Sequence, residues 1–155
     1  MKKYLSLALW IIVFEAVSYT IGMATQNGVD GWYASLTPPP LTPPNIAFPI
    51  MWSLLYSLIA AAGWTVWRGR NDSARKGLLP LYIVYMIMNW SWSFIFFGAQ
   101  ELLIGFIWIV VMDVLALVFI VKAWKSLRVA AYLMIPPTLW TIYAAYLNGG
   151  YWILN

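Results

Sequence analysis

The sequence predicts an all-α fold, an integral membrane bundle of five transmembrane helices, and three observations carry that prediction. Hydrophobic residues make up 63% of the 155 residues and charged residues only 9%, too little polar surface to wrap a water-soluble domain. Five runs of about 20 apolar residues follow one another, each long enough to cross a hydrocarbon core of about 30 Å. The bases fall only on alternate connections, the pattern left when one side of a bilayer retains positive charge. The chain therefore reads as a single transmembrane domain, residues 1–155.

The first helix is expected over residues 4–25. Lys2 and Lys3 precede it as they would a signal peptide, but the run is too long for a cleaved segment and contains Glu15, so it is read as retained. A loop at 26–45 follows, with five prolines between Pro38 and Pro44. Proline fixes φ and biases the preceding residue away from helix, so this segment is expected to be extended and stiff. A spacer would satisfy the prolines alone. Trp32, Tyr33, Leu36 and Leu41 are apolar side chains for which a solvated linker has no use, and they favour a lid.

Pro43 and Pro44 lead into a second helix over 46–67, and a third is expected over 78–98, a fourth over 102–122 and a fifth over 129–153. Pro136 and Pro137 lie inside the last, where two missing donors predict a kink just before Trp140. Lys2 and Lys3 precede the first span. Arg68, Arg70, Arg75 and Lys76 follow the second, and Lys122, Lys125 and Arg128 follow the fourth, which accounts for all nine bases. The positive-inside rule then places the N-terminus in the cytoplasm and the C-terminus outside. This also explains the net charge of +4 with no nucleic-acid partner. With no targeting extension, the expected location is a bacterial-type cell membrane.

The chain has no cysteine and no histidine, which removes disulfides, zinc–thiolate sites and the commonest general base. No metal and no required cofactor are expected. Instead, the polar and indole residues concentrate at one depth. A rise of about 1.5 Å per residue puts Trp52, Asn89, Trp140, Glu15 and Asp113 roughly 12–15 Å below the outer ends of their helices. Carboxylates there cost at least about 2.5 kcal/mol on insertion scales, so Glu15 and Asp113 should face the bundle interior and be hydrogen-bonded. A structural bond to Ser, Asn or backbone is the plain reading of both; Asp113 is the better ligand candidate on depth alone.

Helical spacing aligns Phe48, Trp52 and Tyr56 on the second helix, Asn89, Trp92 and Phe96 on the third, and Trp140, Tyr143, Ala144 and Leu147 on the fifth. Aromatic stripes are ordinary packing in many helices, but indoles this deep need partners for their N–H groups. A cavity lined by these residues and covered by Trp32 and Tyr33 would suit a flat, apolar molecule with a polar edge.

These residues resemble the translocator proteins, also called tryptophan-rich sensory proteins or peripheral benzodiazepine receptors. The resemblance rests on three ordered blocks. The first is Trp32-Tyr33-Ala34 with Leu36, Pro43-Pro44, Trp52 and Leu55-Tyr56. The second is Asn89-Trp90-Ser91-Trp92 with Ile95-Phe96-Phe97-Gly98-Ala99, and the third is Trp140 with Ala144, Leu147 and Asn148. It implies a homodimeric five-helix membrane protein whose cavity under the first loop binds porphyrins, sterols and benzodiazepine-type drugs. By position, Trp52, Asn89, Trp140 and Ala144 match residues that line that cavity. Light- and oxygen-dependent breakdown of protoporphyrin is associated with the family, and the indoles of Trp52 and Trp140 would carry it.

Two departures stand out. Thr37-Pro38-Pro39 occupies the place where the family often has a lysine before proline. The C-terminal Tyr151-Trp152-Ile153-Leu154-Asn155 has no base after its tyrosine, which removes the pattern proposed for sterol contact.

The leading functional expectation is thus a membrane receptor or sensor for porphyrin, as ligand or substrate, and for drug-like apolar molecules. Porphyrin degradation is open as its chemistry, because no nucleophile, metal site or acid–base pair is present for hydrolysis. A transporter of porphyrin or another hydrophobic small molecule is the alternative, although five helices form no even inverted repeat.

Overall fold

In the computed structural model, which describes residues 2–155, with side chains from Tyr4 onward, every long element is a helix and the described residues contain no strand. The side chains of Lys2 and Lys3 lie outside the described residues. The helices are α1 (Lys2–Asn27), α2 (Ala47–Arg68), α3 (Leu78–Ser93), α4 (Leu102–Ser126) and α5 (Arg128–Leu154). A short 3₁₀ turn, Ser73–Arg75, lies between α2 and α3. Pro49 and Pro80 sit in the first turns of α2 and α3, where a missing N–H breaks no helical bond.

Around the bundle the contacts run α1 to α2, α2 to α5, α5 to α4, α4 to α3, and back from α3 to α1. The pair α4–α5 is joined through Leu127 alone. Alanines 116, 123, 130 and 131 are fully buried, small side chains of the kind that let membrane helices approach closely. The core is filled by Tyr85, Phe96, Phe119, Ile59, Ile109 and Met134. The stretch Ala60 to Gly63 is spent inside the bundle. Ala60 and Ala62 are buried, and a Cβ at Gly63 would lie 2.3 Å from the Tyr82 hydroxyl. That hydroxyl donates to the Ile59 carbonyl at 2.8 Å.

Four of the helical stretches are long and apolar enough to cross a membrane: Tyr4–Tyr33, Ala47–Arg68, Ser73–Gly98 and Leu102–Ser126. The protein is thus a membrane protein. The fifth helix has the length, 27 residues, but its threonines, tyrosines, prolines and Asn148 make it less apolar than the other four. Five helices are present as expected, while the apolar-span criterion holds for four. Both Pro136 and Pro137 are accommodated within one continuous helix.

The first connection departs from the sequence expectation. Helix continues beyond 25 through a π-helical segment, Gly28–Tyr33, to Ser35, so only 36–46 is non-helical. The Gly28 to Gly31 stretch reads as a break, and packing overrides it. Gly28 lies against the Phe97 carbonyl, which would be 2.1 Å from a Cβ at that position. Phe97 belongs to a second π-helical segment, Phe94–Gly98, that ends the third helix. The widened turns of both helices meet here and pack their aromatic rings edge to face.

Candidate functional site

The predicted site residues divide into three groups. On α2, Phe48, Trp52 and Tyr56 share one face as their spacing requires. Trp52 packs on Tyr56 with ring centroids 5.5 Å apart, and the Tyr56 hydroxyl donates to Asn89 Oδ1 at 2.7 Å. Phe48 meets Trp140 edge to face at 6.3 Å, and Trp140 packs on Tyr143 at 5.5 Å. Six of the predicted residues therefore meet in two sets that share α2, Trp52, Tyr56 and Asn89 toward α3 and Phe48, Trp140 and Tyr143 toward α5. Ala144 and Leu147 lie on the buried side of α5. Asn89 is level with Tyr56 rather than with Trp52, which lies one turn nearer the α2 N-terminus.

Two donors in this group have no partner among the described residues. Asn89 Nδ2 and Trp140 Nε1 are buried without a hydrogen bond, although Tyr56 satisfies the other half of the Asn89 amide. Tyr85, one turn before Asn89, is close enough to interact with it but stands outside hydrogen-bond geometry. An unpaired buried donor costs about 1–3 kcal/mol, so each of these two is able to take an acceptor; Trp10 Nε1, Tyr85 Oη, Trp90 Nε1 and Asn148 Oδ1 are unpaired among the described residues as well.

The second group is separate. Trp32 and Tyr33 are carried on the end of the first helix and pack on Phe96 at 5.7 and 6.1 Å. Tyr33 also meets Tyr151 at 4.9 Å. Trp92 stacks on Phe96 at 5.0 Å and donates its indole N–H to the Gly105 carbonyl of α4 at 3.2 Å. Trp92 is thereby engaged in helix packing. Asp113 forms the third group: it accepts from the Thr141 hydroxyl at 2.5 Å, in the seam between α4 and α5.

Glu15, the other mid-depth carboxylate, is held by Ser57 at 2.9 Å and Ser53 at 3.2 Å. It clips α1 to α2, in line with the plain structural reading of that residue. The two serines, four residues apart, are visible in sequence, but nothing there assigns them to Glu15.

The proline segment is fastened to α5. Tyr143 donates to the Leu41 carbonyl at 2.5 Å and Tyr146 to that of Pro40 at 2.9 Å. Asn155 bonds both ways with Thr37: its Oδ1 accepts from the Thr37 N–H at 2.8 Å, and its Nδ2 donates to the Thr37 carbonyl at 3.1 Å. Pro39 is buried against Gly150. Leu41, expected to point inward, is 79% exposed, because its positive φ of 65° turns the side chain away. Sequence reasoning missed Tyr146, Gly150 and Asn155 as fasteners, since partners over 100 residues apart leave no local signal.

Two hollows, of about 300 and 410 Å³, both lie toward the opposite, basic end of the bundle. Neither is lined by Trp52, Asn89 or Trp140. Among the described residues no cluster of His, Cys, Asp or Glu could hold a metal.

Residues 9–153 match the TspO/MBR family. The chain is 31% identical to the tryptophan-rich protein TspO of Archaeoglobus fulgidus over 153 residues, 97% of each chain. It is 31% identical to the protein CrtK of Rhodobacter capsulatus, covering 97% of this chain and 95% of that one. A translocator protein of Ovis aries is 31% identical over 124 residues, 78% of this chain and 73% of the relative. With the indole-rich helices, the strap and a match that runs nearly end to end, this chain belongs to the TspO/MBR family.

Proposed function

We propose that the protein is a membrane receptor or sensor that binds porphyrins, protoporphyrin foremost, and drug-like apolar molecules between α2, α3 and α5 beneath the proline strap. Membership of the TspO/MBR family supports a translocator or sensor role. The observation that carries the ligand assignment is the pair of unpartnered buried donors, Asn89 Nδ2 and Trp140 Nε1, beside Phe48, Trp52, Tyr56 and Tyr143. A flat ring system would stack on the aromatic faces while its polar edge accepts from those two groups. Ala144 and Leu147 add the buried side of α5, while Trp32, Tyr33 and Trp92 form the neighbouring aromatic patch on Phe96 and Asp113 lies in the α4–α5 seam.

A bound porphyrin would supply a light-excited state, and the protein would place the indoles of Trp52 and Trp140 next to it. All five helices cross the bilayer in this reading, since α5, at 27 residues, spans about 40 Å. The nine bases put the N-terminus in the cytoplasm of a cell membrane and the C-terminus outside. The protein forms a homodimer, for which α1, the least buried of the candidate spans, offers the largest uncovered apolar face.

The test is a dark titration of the solubilised protein with protoporphyrin, followed by tryptophan quenching, and then illumination of the same samples. Saturable quenching is expected, with porphyrin loss faster than in buffer; absence of saturable binding would overturn the assignment. Trp52→Phe should slow the loss while binding largely survives, Trp140→Phe should slow the loss and also weaken binding because it removes one of the two donors, and unchanged loss in both would remove the photochemical role.

A further inference from the structure

The larger hollow, about 410 Å³, opens at the basic end, where α2 ends, the connection to α3 begins and α5 starts. Trp64, Arg68, Gly69, Arg75, Leu127 and Val129 line it. Membrane topology explains why bases gather at this end. It does not explain why two guanidinium groups line one hollow, one of them held in place.

Arg75 is held from three directions. Its Nε is 3.3 Å from Asp72 Oδ2 and donates to the Ser126 carbonyl at 3.2 Å. Its Nη1 and Cδ occupy the space where Gly69 has no side chain, 2.4 and 2.9 Å from a Cβ there. Arg68 lies 4.7 Å over the ring of Trp64, and among the described residues no carboxylate pairs with it. Asp72 is the sole acid at this end against nine bases, since Glu15 and Asp113 lie at mid-depth and Asp30 and Glu101 at the other end. Leu127 and Val129 form an apolar wall, with Val129 58% exposed on the bundle surface. Helix α5 begins here without a side-chain cap.

We propose that this hollow is a phosphate-binding site that holds the headgroup of an anionic phospholipid. A guanidinium group matches a phosphate through two parallel N–H···O bonds. Stacking on Trp64 presents Arg68 with its donors free. The wall of Leu127 and Val129 meets the glycerol and first acyl carbons, and the end of a membrane-spanning helix is the depth at which headgroups lie.

The experiment uses the full chain in mixed micelles of phosphatidylcholine and phosphatidylglycerol, with retained lipid counted by native mass spectrometry. Retention of phosphatidylglycerol over phosphatidylcholine is expected. Arg68→Gln should weaken it about tenfold, the worth of a charge-assisted hydrogen bond. Lys122→Gln removes an exposed base at the same end but outside the hollow, and should change retention by less than about twofold. Val129→Glu, which places a carboxylate in the hollow with Arg68 intact, should repeat the loss. Among the described residues Arg68 has no hydrogen bond or ion pair and only its stacking on Trp64 is lost, so its variant should melt within a few degrees of the parent.

Equal loss in the Lys122 and Arg68 variants would overturn the site in favour of a diffuse field. Equal retention of the two lipids would overturn it altogether. Displacement of phosphatidylglycerol by millimolar inorganic phosphate would overturn the lipid as the source and assign a soluble phosphate compound; no displacement is expected.

Discussion

Replacing Gly150 by alanine tests how the strap is held. A methyl group at 150 would lie 2.5 Å from Pro39 Cβ and 2.9 Å from its Cγ, where carbon atoms ordinarily stand about 3.5–4.0 Å apart. The overlap is therefore about 1 Å. Pro39 cannot swing clear, because its ring closes on its own backbone. Helix α5 is equally constrained, with Gly149 against Phe106, 3.1 Å from a Cβ there, and Tyr151 buried. The response open to the structure is for the strap to lift from α5.

Overpacking by one methylene costs about 1–3 kcal/mol, which multiplies the open population of the strap by about 5- to 150-fold. Alanine meanwhile favours helix over glycine by about 1 kcal/mol, so the bundle itself should melt no lower. The assay is hydrogen exchange at the Thr37 amide, whose N–H donates to Asn155 across the strap contact. Exchange should quicken by about an order of magnitude while the melting temperature holds or rises. Unchanged exchange would refute the contact as the fastener, and a lower melting temperature would show that α5 had moved instead. If the strap is the lid of the porphyrin site, ligand association should quicken in the same variant.

Other substitutions probe the bundle. Gly63→Ala drives a methyl into the Tyr82 ring, 2.3–2.6 Å away, and breaks its bond to Ile59; reversible unfolding in mixed detergent should show a loss of about 2 kcal/mol despite the gain in helix propensity. A variant as stable as the parent would mean that Tyr82 has room to move. Tyr56→Phe strands Asn89 Oδ1, and a double-mutant cycle with Asn89→Leu should give a coupling of about 0.6–1.7 kcal/mol, the range for membrane hydrogen bonds; coupling near zero would exclude the bond. Glu15→Leu removes a mid-depth carboxylate and leaves Ser53 and Ser57 free to bond their own helix. Stability should hold or rise, since insertion of the acid costs at least about 2.5 kcal/mol, and a loss above about 1 kcal/mol would show Glu15 to be a needed clip.

Much of this molecule is legible from single residues and their periods. The apolar runs determine the helices, because in hydrocarbon every backbone group must bond within its own segment. That constraint is local, so the ends of α2, α4 and α5 came within a few residues of expectation, and the faces carrying Phe48, Trp52, Tyr56, Asn89 and Trp140 could be read from helical spacing alone. The family could also be read from ordered blocks of residues.

Only the tertiary structure decided which of those faces meet. Trp92 and Trp52 look alike in sequence, yet one indole bonds the Gly105 carbonyl and the other packs on Tyr56. The helix through Gly28 to Tyr33 exists because Phe96 and Phe97 of the second π-helical segment pack on it, outweighing the local preference of two glycines. The strap's hold on α5 joins Thr37 to Asn155 and Leu41 to Tyr143, pairs brought together by the order of helices around the bundle. Spacing along a chain determines what a helix presents; the partner of each face is a property of packing, set by contacts far apart in sequence.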